Sequence, residues 1–330
     1  MKSLTVCIVT WNSSEHIARC LEYLNNQSYS DYELLIIDNN SVDDTREIIK
    51  ECAPNAKLIH SEKNLGFCGG HNLGINVSNT KYYMPFNPDI VAEKEFLEQM
   101  VRSIEGTNDI GSVSGKLLRY DPIKEQKTNV IDSTGIIFKR NRRSLDRGAE
   151  EIDKGQYNEM EYVFGASGAA PIYKREMLED IKINNEYFLE YFFAYREDVD
   201  LAWRAQLKGW KCLFNPAARS YHVRHNTPEK RALMSASINM HSVKNRIIML
   251  IQNESKRGII LDGWNFIIYD LMIIIYVLFR EHSSIPALTF ILKSRKKILG
   301  VRKVIQSSKS TKSKEIIKWF GRINAEVYKG

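Results

Sequence analysis

Short apolar segments alternate with amphipathic segments through the first hundred residues of the chain. The apolar runs occupy residues 4–10, 32–38, 56–61 and 81–87. Runs of this length are typical of parallel strands that are covered on both faces. Between the first two runs, apolar side chains follow helical spacing at Ile17, Cys20, Leu21 and Leu24. This alternation of strands and helices predicts a doubly wound α/β sheet, which binds its ligands at the carboxyl ends of its strands.

Local signals predict where the first helices begin and end. Asn12 and Glu15 are spaced as a capping box before the first helix. The second helix is expected to begin near Ser41 and to end at Pro54. Residues 105–160 are less regular, and we interpret them as loops and short strands that form a mobile connection near a site.

Composition and charge divide the chain into two parts. Five scattered cysteines without a CxxC pair suggest neither a disulfide framework nor a thiolate zinc site, which fits a reducing cytoplasm. The first apolar run is read as a strand and not as a signal peptide. Residues 231–330 hold 18 Lys or Arg against 6 Asp or Glu, whereas residues 1–230 carry a net negative charge. We therefore predict an acidic body over 1–230 and a basic extension over 231–330.

The extension is predicted to be helical and to lie on a membrane surface. Residues 245–253 and 264–279 are strongly apolar, but Asp262 and Asp270 make the second run marginal as a span, which takes roughly 20 apolar residues. We expect interfacial helices that bind anionic lipid, peripheral on the cytoplasmic face of the cell membrane. A helical subdomain with a solvated basic face is the alternative. Nucleic acid is not an expected partner, because the aromatic and basic residues are not interleaved.

Polar side chains follow the first two predicted strands. They are Thr10, Asn12, Asp38 and Asn40. At such strand ends a carboxylate or an amide can hold a base or a ribose, although the same residue types are common in turns and caps. The glycine-rich stretch 62–74 matches neither GxGxxG nor the Walker loop. Its Asn64 and Gly66 either line a ligand or belong to a plain turn before a helix.

A candidate metal site follows the fourth predicted strand. "FNPD" places Asn87 and Asp89 just beyond the sheet edge, where a carboxylate can bind Mg²⁺ or Mn²⁺ that bridges phosphate oxygens. "SYHVRH" offers His222 and His225 after another apolar run, and an imidazole suits Mn²⁺ or a phosphate. A hydrogen-bonded structural histidine is the alternative.

The segment "FFAYREDVDLAWR", residues 192–204, concentrates carboxylates behind aromatic residues. Asp200 and Arg204 are four residues apart on a predicted helix, so they are expected to form a structural pair. Glu197 and Asp198 remain at the helix start, where the helix dipole stabilises negative charge. A carboxylate there, partly desolvated by the aromatic residues, predicts a general base that accepts a proton from a hydroxyl.

In this order the motifs resemble those of the bacterial family 2 glycosyltransferases, and within them the rhamnosyltransferase-like branch. The resemblance covers about residues 3–250 and rests on "VTWNS", "LLIIDNNSVDDT", "NLGFCGGHNLG", "FNPD", "VFGASGAAPIYKREML", "FFAYREDVDLAWRAQLKGWKC" and "YHVRH". It implies the Rossmann-like glycosyltransferase A fold, a nucleotide-sugar donor and inversion at the anomeric carbon. That fold would form the nucleotide-sugar-binding and catalytic domain over 1–230, and the helical basic region over 231–330 would be its extension.

Residue roles follow from the resemblance position by position. It implies that the donor nucleotide is held by Thr10, Asn12, Asp38, Asn40, Asn64, Gly66 and Asn87. Asp89 matches the last acid of the family's Asp-x-Asp metal motif, with Asn87 in place of the first acid, and His222 matches a residue often found at the metal or diphosphate. Asp198, in its pair with Glu197, matches the catalytic base.

The resemblance also implies a substrate class. The expected reaction transfers L-rhamnose from dTDP-L-rhamnose to a lipid-linked or cell-surface glycan, with Mg²⁺ or Mn²⁺ as cofactor. Transfer from a UDP- or GDP-sugar, a noncatalytic nucleotide-sugar or glycan-binding protein, and a nucleotidyltransferase are the alternatives. The last would need a basic phosphate-binding loop that "VTWNSSEH" lacks. The sequence leaves a homo-oligomer open.

Overall fold

A mixed sheet of eleven strands organises the computed structural model, which describes residues 2–106, 108–224, 234–321 and 326–328. The strands of the chain are β1 (Leu4–Thr10), β2 (Tyr32–Asp38), β3 (Lys57–His60), β4 (Tyr82–Pro85), β5 (Ile90–Ala92), β6 (Ile110–Asp121), β7 (Gln126–Ser133), β8 (Ile136–Phe138), β9 (Ser144–Asp146), β10 (Glu161–Val163), β11 (Ile172–Lys174), β12 (Lys211–His222) and β13 (Glu326–Val327). The sheet runs in the order β13-β10-β12-β6-β11-β4-β1-β2-β3, with β5 on β12 and β7 on β6, while β8 and β9 form a separate hairpin.

Helices cover the sheet and form the C-terminal region. They are α1 (Ile17–Asn25), α2 (Thr45–Cys52), α3 (Gly66–Val77), α4 (Phe96–Glu105), α5 (Arg175–Ile181), α6 (Glu197–Lys208), α7 (Ala236–Asn253), α8 (Lys256–Phe279), α9 (Ile285–Lys293), α10 (Arg295–Ser308) and α11 (Ser313–Ile317). Along β1, Cys7 packs into one apolar cluster while Val6 and Ile8 pack into another. The sheet is therefore buried on both faces, as the apolar runs predict.

The parallel part of the sheet confirms the predicted alternation. β1 pairs in parallel with β2 and β4, and β2 pairs in parallel with β3. The four strands match the four apolar runs in the sequence. Beyond β4 the sheet is mixed, because β11 is antiparallel to both of its neighbours and β12 is parallel to β6. The carboxyl ends of the parallel strands β1, β2 and β4 lie at one edge of the sheet, and the polar residues that follow these strands are therefore at that edge.

The predicted helix starts need correction. The first helix begins at Ile17 without a side-chain cap, so the Asn12–Glu15 capping box is wrong. Asn12 instead accepts a hydrogen bond from the Val42 amide, and its φ of 51° places it in the left-handed region. The second helix begins at Thr45 and not near Ser41, because the Ser41 amide donates to the Asp38 carboxylate.

The segment 105–160 is more regular than the sequence indicates. β6 is a twelve-residue strand in the middle of the sheet, and β7 returns beside it to form a hairpin. The polar residues of "RYDPIKEQKTN" conceal this hairpin because they belong to its exposed turn and to the ends of its two strands. The interpretation of the segment as loops and short strands is therefore wrong for β6 and β7.

The C-terminal region is helical as predicted and packs on the part of the chain that precedes it. Asn253, at the end of α7, donates to the buried Asp200 of α6 at 2.7 Å. Arg142, in the turn between β8 and β9, binds Glu254 just after α7. β13 adds an edge strand to the sheet beside β10. The predicted boundary at 230/231 lies outside the described residues.

Helix α8 exposes a long apolar surface. Among the described helices, α8 is the one that is long and apolar enough to cross a membrane, judged by length and composition. Ile260 and Trp264 expose 82% and 68% of their surface. Asp262 and Asp270 instead face the protein, where they pair with Arg142 and Arg246. The helix therefore has one side against the rest of the protein and one apolar side turned outward.

Candidate active site

A cleft of about 990 Å³ opens at the carboxyl edge of the sheet. It brings together residues that are far apart in the sequence but were predicted to carry the chemistry. Those that line it are Asn87, Asp89, Glu197, Asp198 and His222. The acid after β4 and the acids at the start of α6 thus share one cavity.

Asp198 is held in place by backbone amides. Its Oδ2 accepts from the Gly168 amide at 2.9 Å, and its Oδ1 accepts from the Val199 amide at 2.8 Å. Burial raises the pKa of Asp198, and the charge of Asp146 adds to this effect, while the amides oppose it. The result is an oriented carboxyl group with a raised pKa on the cleft wall, which is the arrangement a general base requires.

Glu197 has a different environment from Asp198. Its side chain is nearly buried, and its Oε2 makes no hydrogen bond to any residue that the structure describes. Burial raises the pKa of Glu197 well above its ordinary value, and the neighbouring Asp198 raises it further. These effects favour the neutral form of Glu197, whereas Asp198 has hydrogen-bond donors that favour an ionised carboxylate.

The aromatic residues before α6 form less of the cleft wall than the sequence suggests. Tyr195 lines the cleft, but Phe192 is fully buried in the core and Phe193 stacks on His241. Phe193, Tyr195 and Arg196 all have positive φ values, between 66° and 70°. Left-handed backbone at such residues costs of order 1–3 kcal/mol each and is found where surrounding contacts fix it. This backbone turns the chain sharply into α6 and sets the position of Asp198.

Asp89, His222 and Asp132 form a row at the other side of the cleft. The His222 Nε2 lies 3.5 Å from Asp89 Oδ1, and its Nδ1 lies 2.9 Å from Asp132 Oδ2. Burial alone would lower the pKa of His222, but Asp89 and Asp132 raise it to about 10. Asp132 thereby fixes the ring so that Nε2 faces Asp89.

The donor set of this row fits a hard divalent cation. An imidazole that is oriented by a second carboxylate is a common arrangement around protein-bound metals. The described residues contain no group of three or more His, Cys, Asp or Glu side chains placed to bind a metal by themselves. Asp89 and His222 would therefore supply a partial shell, to be completed by phosphate oxygens and water as Mg²⁺ prefers. His225 lies outside the described residues.

Thr10 and Asp38 lie together at the ends of β1 and β2. The Thr10 hydroxyl donates to Asp38 Oδ1 at 3.2 Å, and the His60 ring lies 3.0 Å from Asp38 Oδ2. Asp38 is fully buried, so its carboxylate is engaged by protein groups. Asn40 is exposed with a φ of 63°, which leaves its side chain accessible at this edge.

The glycine-rich stretch forms the turn into α3. The Asn64 side chain accepts from the Gly66 amide at 2.8 Å, which makes Asn64 a turn residue in this structure. Gly66 has a φ of 69°, and a Cβ there would lie 2.6 Å from Phe193. The Gly66 carbonyl accepts from the Asn39 side chain, which connects this turn to the end of β2. Phe67, the next residue, lines the cleft.

The C-terminal helices complete the cleft. α7 contributes residues that include Ser242 and Arg246, and α8 contributes Met272, Ile273 and Tyr276. Nothing in the spacing of the tail sequence predicts this, because its apolar runs fit a membrane surface equally well. The side chains that approach Asp198 are thus drawn from both parts of the chain.

Three further site residues were missed by the sequence reasoning. Asp132 comes from β7, in a segment that the sequence presents as irregular, and no motif marks it. Asn39 lies between two residues that were singled out, and like Asp38 it is buried, whereas Asn40 is exposed. Gly168, which donates to Asp198, sits in "VFGASGAAPIY", where small residues already indicate a close backbone approach.

Solved structures share this fold. TarS 1-349 from S. aureus, in complex with UDP-GlcNAc, aligns with a TM-score of 0.55 at 16% identity over 98% of this chain and 90% of that one. A mannosyltransferase from Pyrobaculum calidifontis, in complex with GDP-Man and Mn²⁺, aligns with a TM-score of 0.53 at 12% identity over 93% and 85% of the two chains. At these identities the likeness shows the fold, which is the predicted glycosyltransferase A fold.

Sequence relatives come from several microorganisms. The amylovoran biosynthesis glycosyltransferase AmsB of Erwinia amylovora is 25% identical over 67% of this chain and 70% of its own length. An uncharacterized glycosyltransferase of Haemophilus influenzae is 26% identical over 41% of this chain, and the match spans 43% of that relative's own length. The family model described as glycosyl transferase family 2 matches residues 5–182, more than half of the chain. The chain therefore belongs to glycosyl transferase family 2.

Proposed function

We propose that this protein is an inverting glycosyltransferase that moves a sugar from a nucleotide-sugar donor to an acceptor hydroxyl, with Asp198 as general base. The observation that carries the proposal is that Asp198 and Asp89 line one cleft at the carboxyl edge of the sheet. A single displacement needs one group that accepts the proton of the acceptor hydroxyl and one that stabilises the leaving diphosphate, and the two carboxylates can serve these two roles.

Asp198 acts on the acceptor. The acceptor oxygen forms the new bond to the anomeric carbon, the bond from that carbon to the diphosphate oxygen breaks, and the acceptor proton moves to Asp198. The amides of Gly168 and Val199 hold the carboxylate in one orientation during this step. One base suffices for this route, whereas retaining glycosidases use a second carboxyl group as nucleophile. Glu197, whose pKa is raised by burial, lies buried beside Asp198 at the start of α6.

Asp89 and His222 act on the leaving group. We propose that they hold Mg²⁺ or Mn²⁺, which would neutralise negative charge that develops on the diphosphate. Asp132 orients the His222 ring for this role. The side chain of Asn87, beside Asp89 in the cleft, is available to the donor phosphates or sugar. The Mn²⁺ in the complex of the Pyrobaculum mannosyltransferase supports this assignment by analogy.

The donor nucleoside is proposed to bind at the ends of β1 and β2. Thr10, Asp38 and Asn40 lie at this edge, and Asn12 and Gly66 shape the loops beside it. We propose dTDP-L-rhamnose as the donor, which rests on the resemblance of the motifs to the rhamnosyltransferase-like branch. UDP- and GDP-sugars are the competing donors, since solved structures of this fold contain UDP-GlcNAc or GDP-Man.

The acceptor is proposed to be a lipid-linked or cell-surface glycan that is met at the cytoplasmic face of the membrane. The outward face of α8 is apolar, and the chain that follows it is basic, which suits attachment to an anionic surface. Asp262 and Asp270 pair with arginines of the protein, and the inner side of α8 lines the cleft. This packing supports a peripheral helix over a spanning one.

A donor screen tests the proposed function. The melting temperature of the full chain would be measured with dTDP-, UDP- and GDP-sugars, each with and without Mn²⁺, because a ligand that binds the folded state stabilises it. We expect a dTDP-sugar to give the largest increase and the increase to require Mn²⁺. The absence of a shift with every nucleotide sugar would contradict the proposal, and a larger shift with UDP- or GDP-sugars would replace the donor.

Vesicle binding tests the proposed location. Replacement of Ile260 and Trp264 by Glu alters the outward face of α8 without touching the cleft. We expect the variant to leave vesicles that contain anionic lipid while it keeps the melting temperature of the wild type. Unchanged binding would show that this face of α8 does not contact lipid.

A further inference from the structure

We propose that the part of the cleft formed by α7, α8 and the β8–β9 turn binds an acceptor that carries a phosphate group on a hydrocarbon chain. This inference rests on the transfer function proposed above, and it adds the chemical class of the acceptor. Two adjoining features of the cleft carry it, namely a pair of arginines with no carboxylate partner and an apolar wall that continues to the surface of α8.

The arginine pair is Arg143 and Arg196, which both line the cleft. The Arg196 guanidinium donates to the Ser144 hydroxyl at 3.0 Å and to the Ser242 carbonyl at 3.4 Å, and both acceptors are neutral. Within the described residues, no carboxylate forms an ion pair with either guanidinium. Burial lowers the pKa of Arg196 to about 10, and the nearby charges of Arg246 and Arg143 contribute, while the charge of Asp198 opposes this effect. The pair is therefore a concentration of positive charge that the protein leaves for an anion.

The other arginines of the cleft differ in this respect. Arg224 pairs with Asp132 and Asp146, and Arg246 pairs with Asp270 at 2.6 Å. The charge that remains for a ligand is thus confined to the junction between the β8–β9 turn and α7. Guanidinium groups bind phosphate through paired hydrogen bonds, so a phosphate group fits this junction.

The apolar wall begins beside these arginines. Met272, Ile273, Tyr276 and Val277 of α8 line the cleft together with Val243 of α7. Met272 and Tyr276 each expose about half of their surface, at 55% and 50%, so the wall passes without a break into the outward face of α8. A soluble sugar phosphate would gain nothing from such a wall, whereas a hydrocarbon chain attached to the phosphate would be covered by it.

The position of the two features sets the direction of the ligand. The phosphate would lie near Arg143 and Arg196, the chain would leave along α8, and the sugar on the other side of the phosphate would extend toward Asp198. Asp198 lies only two residues from Arg196, at the start of α6. In this arrangement the donor diphosphate lies near Asp89 and His222, which would hold its divalent cation, so the cleft separates the phosphates of its two substrates.

Binding of dodecyl phosphate, measured by calorimetry below its critical micelle concentration and without donor, tests the proposal. Arg143→Gln removes a charge of the pair. Met272→Gln with Tyr276→Gln alters the apolar wall, and Leu271→Gln with Ile275→Gln is the matched control, since these neighbours have similar exposure and do not line the cleft. We expect the first two variants to weaken binding at least tenfold and the control to change it less than twofold. Equal melting temperatures would establish that all variants are folded.

Comparison ligands separate the sources of binding. Dodecyl maltoside has the chain without the phosphate, and inorganic phosphate has the charge without the chain, so both are expected to bind at least tenfold more weakly. Equal binding of inorganic phosphate, or equal loss in the control variant, would overturn the proposal. The affinity for dTDP is measured for the Arg143→Gln variant as well. If it falls as much as the affinity for dodecyl phosphate, the arginines belong to the donor site. Because dTDP binding with Mn²⁺ is measured on the same samples, a failure of the donor function is distinguished from a failure of this inference.

Discussion

Replacement of Arg142 by Met should detach the β8–β9 turn from the C-terminal helices. The Arg142 side chain is fully buried, and its Nε lies 2.6 Å from Glu254 Oε2 while its Nη1 lies 3.1 Å from Asp262 Oδ2. Its guanidinium also stacks over the Phe320 ring at 3.8 Å. These contacts connect the turn that carries Arg143 and Ser144 to the helices that close the cleft.

The expected cost follows from what the substitution leaves behind. The Glu254 side chain is only 3% exposed, so it would remain as a buried carboxylate without its guanidinium. Removal of one partner from a buried ion pair costs about 3–5 kcal/mol. Arg140→Met is the control, because Arg140 is exposed on the same turn, and surface substitutions of this kind usually change stability by about 0.5 kcal/mol or less.

The pH dependence of this cost has a definite sign. Burial raises the pKa of Glu254, and Arg142 opposes the rise, so the pKa should increase further in the variant. A carboxyl group whose folded pKa exceeds its unfolded pKa destabilises the folded state at higher pH, and this penalty disappears as the pH falls through the folded value. The difference between wild type and variant should therefore shrink on acidification.

Urea unfolding followed by circular dichroism measures the stability, and hydrogen exchange of residues 139–147 and of α8 measures the local effect. We expect a lower midpoint and faster exchange in both segments for Arg142→Met and wild-type behaviour for Arg140→Met. A variant that is no less stable than its control, or a difference that grows on acidification, would refute this account of the turn.

Three further predictions concern the site. The rate of transfer should fall on acidification with an apparent pKa above the ordinary value for aspartate, 3.8, because burial raises the pKa of Asp198; a profile that is flat down to pH 4 would contradict this. Gly66→Ala should destabilise the protein by about 1 kcal/mol or more, because its φ is positive and a methyl group would meet the ring of Phe193. The control Gly300→Ala, in open space within α10, should stabilise the protein by about 0.5–1 kcal/mol. Calorimetric melting measures both changes, and equal effects of the two substitutions would exclude the clash. Asp132→Asn should weaken Mn²⁺ binding by about 10–100-fold, because the His222 ring loses the carboxylate that orients it. Calorimetry with dTDP present measures the affinity for Mn²⁺, and an unchanged affinity would remove His222 from the metal site.

Local patterns in the sequence were sufficient for the parallel half of the fold. The apolar runs define β1 to β4, and each run matches its strand within two residues. The signal is clearest for β1 and β4, because strands buried on both faces need no alternation. The Asp200–Arg204 pair was also predictable, because helical spacing brings the two side chains together, and the structure places them 2.8 Å apart. Interactions within one helix or strand can therefore be predicted from the spacing of residues in the sequence.

Contacts between distant elements were not predictable by the same means. The Asn12–Glu15 capping box failed because Asn12 bonds across to the Val42 amide, which lies 30 residues away in the sequence. The role of Asp132 depends on the pairing of β7 with β6, and the polar turn between them hides that pairing. The contribution of α8 to the cleft depends on buried ion pairs between its two aspartates and arginines of other segments. Those aspartates argued against a transmembrane helix, but the spacing of residues in the sequence does not reveal the arginines with which they pair.

The measurement that tests the central claim most directly compares donor affinity and transfer rate for Asp198→Asn with those of the wild type. The account predicts that the rate constant for transfer falls by about 10²–10⁴-fold, the usual contribution of a general base, while the dissociation constant for the donor changes less than about twofold. Asparagine keeps the shape of the side chain, and its oxygen can still accept from the Gly168 amide while the bond from the Val199 amide is lost, so the fold should be retained. Transfer at the wild-type rate, or a loss of donor binding as large as the loss of transfer, would contradict the assignment of Asp198 as the base.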